Sequence, residues 1–374
     1  MSPEAPFPFE RLRRTPDAEG PGLVAVDAAD RLLLDESENA RSDAAPGTIV
    51  VIGDAYGALA LGAAHDGAVG VRVHQDGLVG EQALARNAAE VGLDVISVPL
   101  DADAVRAARV VLLRLPRSLD ALRDIAGLIA AYADPAVVVF AGGRIKHMSV
   151  AMNDVLREVF DRVDVTHARQ KSRVLIARGP HDGGDPVPAA GRDGDLELRA
   201  FGGAFAGAKL DIGTRLLLAH LPSTPPGGTP DDPLIDLACG TGAVAAHLAL
   251  RHPSAVVSAS DQSAVAVASA RATMVANGVA DRVEVVQDDA LHRLPDASVS
   301  FVALNPPFHS GAAVSDLIAP RLFADAARAL RQGGALWCVW NSALRYRSEL
   351  ERIVGPTRQV ARDRKFTVTV STRR

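Results

Sequence analysis

Four groups of residues in this chain have the types and spacing to do chemistry. Asp236-Leu-Ala-Cys-Gly-Thr-Gly242 follows a short apolar run and opens an alanine-rich stretch. Its glycines allow close backbone approach to a ligand, and the N–H groups of a helix start point at it. A third glycine at the phosphate-binding spacing is absent, which suits a ligand with an amino-acid part and no pyrophosphate. Asp261 closes the next apolar run, where a carboxylate can accept both hydroxyls of a ribose. Asp289 closes the third and can accept from the exocyclic amine of an adenine. Asn305-Pro-Pro-Phe-His309 follows the fourth. Its two prolines stiffen the backbone and remove two donors, so the carbonyls around them are left as acceptors. With the Asn305 oxygen, two acceptors can converge on one planar NH2 group, and Phe308 offers a face on which a base can stack.

These residues need a scaffold that brings the ends of successive strands together, and the surrounding pattern supplies one. Short β-branched runs alternate with alanine-rich helical stretches, as in βαβ units of a parallel sheet. Strands are expected at Leu234–Leu237, Val256–Ala259, Val283–Val286, Val299–Leu304 and Ala335–Val339, and helices at Ala243–Leu250, Ala264–Asn277 and Ile318–Leu330. Gly278 and Gly333 sit where helix ends favour left-handed backbone.

The first half repeats the plan. An offset of about 185 residues pairs Ile52–Gly57 with Leu237–Gly242, Asp76 with Asp261 and Arg86 with Arg271, while Leu113–Arg117 lies opposite Leu304–Phe308. The expected fold is therefore α/β, two tandem Rossmann-like domains, each a mostly parallel sheet with helices on both faces and an antiparallel edge. The divisions are a tail and first helix region at 1–46, a first domain at 47–178, a Gly/Pro/Asp-rich linker at 179–195 and a second domain at 196–374.

The chain has 374 residues, 40 Lys+Arg against 45 Asp+Glu, and 48% hydrophobic residues, which excludes a disordered or fibrous protein. A net charge of −5 argues against a surface that is basic throughout. The two cysteines, Cys239 and Cys338, are too few for a disulfide framework or a zinc site, so no metal is expected. Neither an export signal nor a membrane span is expected, and the cytosol is the expected compartment. A monomer is the expected unit.

From about Ile49 to the C-terminus the sequence resembles the class I S-adenosylmethionine-dependent methyltransferases, and within them the two-domain bacterial ribosomal RNA guanine-N2 methyltransferases of the small or large subunit. The carriers are Phe205, Leu210-Asp-Ile-Gly-Thr-Arg-Leu-Leu-Leu218, Asp236–Gly242, Asp261, Ala276-Asn-Gly278, Asn305–His309 with Gly311, and the closing Arg364-Lys-Phe-Thr-Val368. Arg144-Ile-Lys-His147 and Arg169-Gln-Lys-Ser-Arg173 are more similar to the large-subunit enzyme. Ala238 stands where the family has a glycine.

The resemblance implies S-adenosylmethionine as cofactor, held by Asp236, Cys239, Gly240, Gly242, Asp261, Asp289 and Asn305. It implies Asn305, Pro306 and Phe308 as the catalytic group, holding and stacking a flipped guanine. His309 is either a proton acceptor or a structural hydrogen-bonding group. In the first half Val51, Ala55 and Arg114 replace Asp236, Gly240 and Asn305, so no methyl transfer is expected there. Arg114, Arg144, Lys146 and Lys171, with Arg364 and Lys365 of the second half, are candidate contacts to ribosomal RNA or a ribosomal subunit. Glutamine-amide methylation of a protein, or an inactive RNA-binding assembly factor, are the alternatives.

Overall fold

The computed structural model describes residues 6–20, 22–307 and 312–374. The chain forms two compact units, Met1–Val187 and Pro188–Arg374. In the first, α1 (Ala28–Ser42) precedes β1 (Ile49–Ile52). The chain then runs through α2 (Ala58–His65), β2 (Arg72–His74), α3 (Leu78–Val91), β3 (Ile96–Ser97), α4 (Ala102–Val105), β4 (Val110–Arg114), α5 (Leu119–Tyr132), β5 (Val138–Arg144), α6 (Val150–Arg157), β6 (Phe160–Val165) and β7 (Ser172–Pro180). The second opens with a hairpin, β8 (Ala189–Asp193) and β9 (Leu196–Ala200), followed by α7 (Ile212–Leu218) and β10 (Leu234–Leu237). Then come α8 (Ala243–Arg251), β11 (Val257–Asp261), α9 (Ala264–Ala276), β12 (Val283–Gln287), β13 (Val299–Leu304), α10 (Ala312–Ala329), β14 (Leu330–Asn341), α11 (Arg347–Ile353), β15 (Thr357–Arg362) and β16 (Phe366–Thr372).

The two large sheets have the same topology, β3-β2-β1-β4-β5-β7-β6 and β12-β11-β10-β13-β14-β16-β15. In the second, β10 to β14 pair in parallel and β16 runs antiparallel to both β14 and β15. Each sheet is covered on both faces. Leu234 of β10 packs into the layer with α8 and α9, whereas Ile235 and Leu237 pack into the layer with α10 and α11. This alternation follows from the two-residue repeat of a strand. The first unit likewise has two core layers, Ile49 and Val51 facing one and Val50 and Ile52 the other.

Three expectations need correction. The stretch 179–195 is only partly a connection, because Gly179 and Pro180 finish β7 and Ala189–Asp193 pair with β9. Gly194, at φ 59°, closes that hairpin, and Gly191 packs so tightly that a Cβ would lie 1.8 Å from the Ala208 carbonyl oxygen. Gly278 does follow α9 with φ 65°, but Gly333, at φ 81°, lies inside β14 and not at a helix end. Finally, the strand registers place Gln75, not Asp76, opposite Asp261. Ile52 pairs with His74 as Leu237 pairs with Ser260, so the next residues, Gln75 and Asp261, correspond. No described helix is long and apolar enough to cross a membrane.

Candidate functional site

In each sheet the chain leaves the first strand in one direction and returns on its other side, between β1 and β4 or β10 and β13. The crevice outside the carboxyl ends at this switch point is where open α/β sheets bind ligands. In the second unit it is formed by the loop 238–242, the tip of β11 and Asn305.

The loop is built on three left-handed residues, Ala238 (φ 57°), Gly240 (φ 54°) and Gly242 (φ 77°). They serve different ends. A Cβ on Gly242 would lie 2.7 Å from Met274 Cε and 2.9 Å from Ala270 Cβ, so this glycine lets α8 pack on α9. A Cβ on Gly240 would meet nothing within 4 Å, so the outer side of the loop is open. That opening fits a cofactor laid along the loop.

Asp236 sits beneath it. The residue is 2% exposed and its Oδ2 accepts from the Ala245 N–H of α8 at 2.9 Å. Burial pushes its pKa up to about 7. Asp236 therefore ties α8 to the end of β10 from beneath the loop. The Cys239 side chain also turns into the core, and burial raises its thiol pKa well above the usual value.

Asp261 faces the loop. Its Oδ2 accepts from Gly240 N–H at 2.9 Å and its Oδ1 from Ser263 N–H at 3.0 Å, so one carboxylate joins the glycine loop to the start of α9. Asp289 lies just past β12 and is ion-paired with Arg321 of α10, with His292 Nδ1 3.5 Å away. An adenine amine would have to share this carboxylate with Arg321.

Asn305 follows β13 directly. Its Nδ2 donates to Thr214 Oγ1 at 2.9 Å and to Asp211 Oδ2 at 3.3 Å. Its Oδ1 is buried and has no hydrogen-bond partner among the described residues. Buried polar atoms are rarely left unpaired, so this oxygen is an acceptor waiting for a donor. Pro306 is buried beside it. Phe308 and His309 lie outside the described residues. Asp211 and Thr214 are visible in the sequence only as part of the Leu210–Leu218 box. The signal that marks them is their place as N-cap and third residue of a helix preceding the first strand.

The first unit keeps the outline and changes the contents. Gly53, Ala55 and Gly57 have φ of 79°, 64° and 97°, the same left-handed sequence as the second loop. Val51 is in the place of Asp236, and Asp54 in the loop takes over its bond, accepting from Ala60 N–H and Leu59 N–H at 2.8 Å each. Gln75, with its amide buried and unpartnered among the described residues, replaces Asp261. Arg114 replaces Asn305. Its guanidinium is bound to Asp30 at 2.6 Å and Asp27 at 3.3 Å. This corrects its reading as an RNA-binding residue, because two carboxylates of the same unit already neutralise it.

Arg144, half-buried with an unpartnered Nε, and the exposed Lys146 and Lys171 remain at the carboxyl edge of the first sheet. With Arg117 and Arg173 they have no carboxylate partner among the described residues, whereas Arg109, Arg123 and Arg178 are paired. Partial burial, then the charges of Arg117, Lys146 and Arg144, lower the pKa of His147. Arg364 and Lys365 are exposed in the turn between β15 and β16 of the second unit, where Ser342 N–H reaches the Lys365 carbonyl at 2.8 Å.

Residues 3–181 match the family described as the RLMG N-terminal domain, and residues 195–370 the methyltransferase small domain. Proteins named ribosomal RNA large subunit methyltransferase G are similar over almost the whole chain. The Streptomyces coelicolor protein is 34% identical, with 96% of each chain covered, and the Pseudomonas aeruginosa protein is 34% identical, with 97% of each covered. Among solved structures, the T. thermophilus 16S rRNA N2 G1207 methyltransferase in complex with AdoMet and guanosine has the same fold. Its TM-score is 0.73 at 21% identity, with 93% of this chain and 92% of that one covered.

Proposed function

Since the chain belongs to the ribosomal RNA large subunit methyltransferase G family, we propose that it transfers a methyl group from S-adenosylmethionine to the exocyclic N2 amine of a guanine in large-subunit ribosomal RNA. The observation that carries this reading is the Asn305 amide. With its NH2 end held by Thr214 and Asp211, it presents a buried, unpartnered oxygen beside Pro306. That is an acceptor for one N–H of a planar amine, and the Pro306 carbonyl is the second.

The cofactor, when bound, supplies an electrophilic methyl on a sulfonium. The residues to hold it are the open Gly240 side of the loop for the methionine part, Asp261 for the ribose hydroxyls and Asp289 for the adenine. Asp236, Cys239 and Gly242 support the loop from behind. The guanine N2 lone pair is delocalised into the ring, so the amine is a weak nucleophile. Asn305 and Pro306 orient it and favour the positive charge that develops on nitrogen, an electrostatic and proximity contribution. The family resemblance assigns the stacking face for the base to Phe308. Nothing in this scheme requires a covalent nucleophile.

Arg144, Lys146 and Lys171, which have no carboxylate partner among the described residues, and likewise Arg364 and Lys365, bind RNA phosphates, which position the substrate without reading its sequence. Glutamine-amide methylation would use the same pair of acceptors, but the relatives match both halves and carry a ribosomal RNA name. The test is transfer of tritiated methyl to isolated ribosomal subunits from a strain lacking this protein, followed by mapping. Label on a guanine N2 of the large-subunit RNA is expected. Label confined to the small subunit or to protein would overturn the assignment.

A further inference from the structure

We propose that Asp211 and Thr214 are positioning residues for methyl transfer, fixing the rotation of the Asn305 amide and strengthening its oxygen as an acceptor. The inference rests on the reading of Asn305 as the residue that holds the substrate amine.

The two ends of an asparagine amide differ only in O and N, so its orientation must be set by neighbours. Asp211 sets it. As N-cap of α7, its Oδ2 accepts from Gly213 N–H at 2.9 Å, from Thr214 N–H at 3.1 Å and from Asn305 Nδ2 at 3.3 Å. An ionised carboxylate only accepts, so a flipped Asn305 would face it with an oxygen. It would also turn its NH2 toward the substrate amine, donor against donor. Thr214, 8% exposed, takes the second proton of Nδ2 on Oγ1 at 2.9 Å. The first turn of α7 is itself held, since a Cβ on Gly213 would come within 3.0 Å of the Phe366 ring. A negative charge on the NH2 end polarises the amide and increases the negative character of Oδ1. That is the atom facing the charge that develops on the amine.

An independent observation comes from the first unit. Asp27, the N-cap of α1, and Asp30, its third residue, hold Arg114 at 3.3 and 2.6 Å. Asp211 and Thr214 occupy the same two positions of α7, and Asn305 the same position after the fourth strand. The tether from helix start to strand end is thus a built feature of the duplicated fold. In the second unit it grips an uncharged amide by one end only.

The test uses the full chain and measures kcat and KM for large-subunit RNA, cofactor affinity by calorimetry, and Tm. Thr214→Val keeps the shape and removes the hydroxyl, and kcat is expected to fall about 10-fold with KM and cofactor affinity unchanged, and with a modest fall in Tm that leaves the protein folded at the assay temperature. Thr214→Ser, which restores an oxygen, should recover most of the rate. Asp211→Ser keeps a good N-cap but cannot reach Asn305, and is expected to lower kcat similarly. Asp211→Asn keeps an acceptor and loses the charge, with a smaller loss that isolates the polarisation. The Asp211→Ser/Thr214→Val pair should approach Asn305→Ala. Wild-type kcat in that pair, or losses that follow Tm and are not recovered by Thr214→Ser, would overturn the proposal. If Asn305→Ala itself stays active, the reading of Asn305 falls. If it is inactive while the pair is fully active, only the tether falls.

Discussion

The two loops at the switch points, Ile52–Gly57 and Leu237–Gly242, trace the same backbone with left-handed residues at three matching positions. Non-glycine residues occupy that conformation once in each, Ala55 and Ala238, at a cost of about 1–2 kcal/mol. The chemistry around them has diverged completely. In the second unit the helix-holding carboxylate, Asp236, is under the loop and the outer side is open. In the first, Asp54 fills the loop from within, Gln75 replaces the acid at the next strand, and Arg114 closes the remaining corner with Asp27 and Asp30. A fold of this kind preserves shape through its packing. The side chains at the strand ends differ between the two units while the strand order stays the same.

The two units differ most in stability terms at Arg114. Burial pushes Asp30 up to about 7 and Asp54 up to about 6, and in both cases the Arg114 charge opposes the rise. Arg114→Met leaves these carboxylates without their cation and should lower stability by about 3–5 kcal/mol. Chemical denaturation will show this, with activity falling only as folded protein is lost. At the corresponding place in the second unit, Asn305→Ala should cost about 10²–10³-fold in kcat while cofactor affinity and Tm are kept. Methyl-transfer kinetics beside calorimetry separate the two losses.

A smaller effect follows from Asp236. Its folded pKa of about 7 lies above its value in the unfolded chain, so the folded state binds the extra proton. The group therefore costs nothing below the unfolded pKa, and its ionisation removes stability as pH rises from about 4 toward 7. Asp236→Asn should flatten that decline, seen as a smaller difference between Tm at pH 5 and pH 8 than in the wild type. The smallest expected change is at the basic edge of the first sheet. Lys146→Ala with Lys171→Ala should raise KM for RNA several-fold and leave cofactor affinity unchanged. The slope of log affinity against log salt should become shallower by about 0.7–0.9 for each phosphate that is no longer neutralised.

Much of this was legible in the sequence. The β10 and β13 boundaries follow directly from apolar runs between glycine- or proline-bearing turns, and the duplication shows in Gly57 and Gly242. Asp261 and Asn305 stand out in the sequence only jointly, since a strand-end acid alone is more often a cap or a solvated loop residue, and the structure places both at the carboxyl ends of their strands. What the sequence leaves open has a common physical origin. Asp236, Cys239 and Gly242 belong to the motif, but which side of a loop a residue faces depends on packing across the sheet. Met274 and Ala270, which decide it for Gly242, are some thirty residues away. Arg114 reads as a free cation because its partners, Asp27 and Asp30, are more than eighty residues earlier in the chain. The one-residue shift from Asp76 to Gln75 is set by strand register, which similarity between the halves does not determine.

If one fold was duplicated and only the second copy kept its site, the chain binds a single cofactor. Calorimetric titration of the full chain with S-adenosylmethionine should give one equivalent. Binding should be lost in Asp261→Ala and unchanged in Gln75→Ala. Two equivalents per chain, or binding that survives Asp261→Ala and disappears with Gln75→Ala, would mean that the first unit holds a cofactor site.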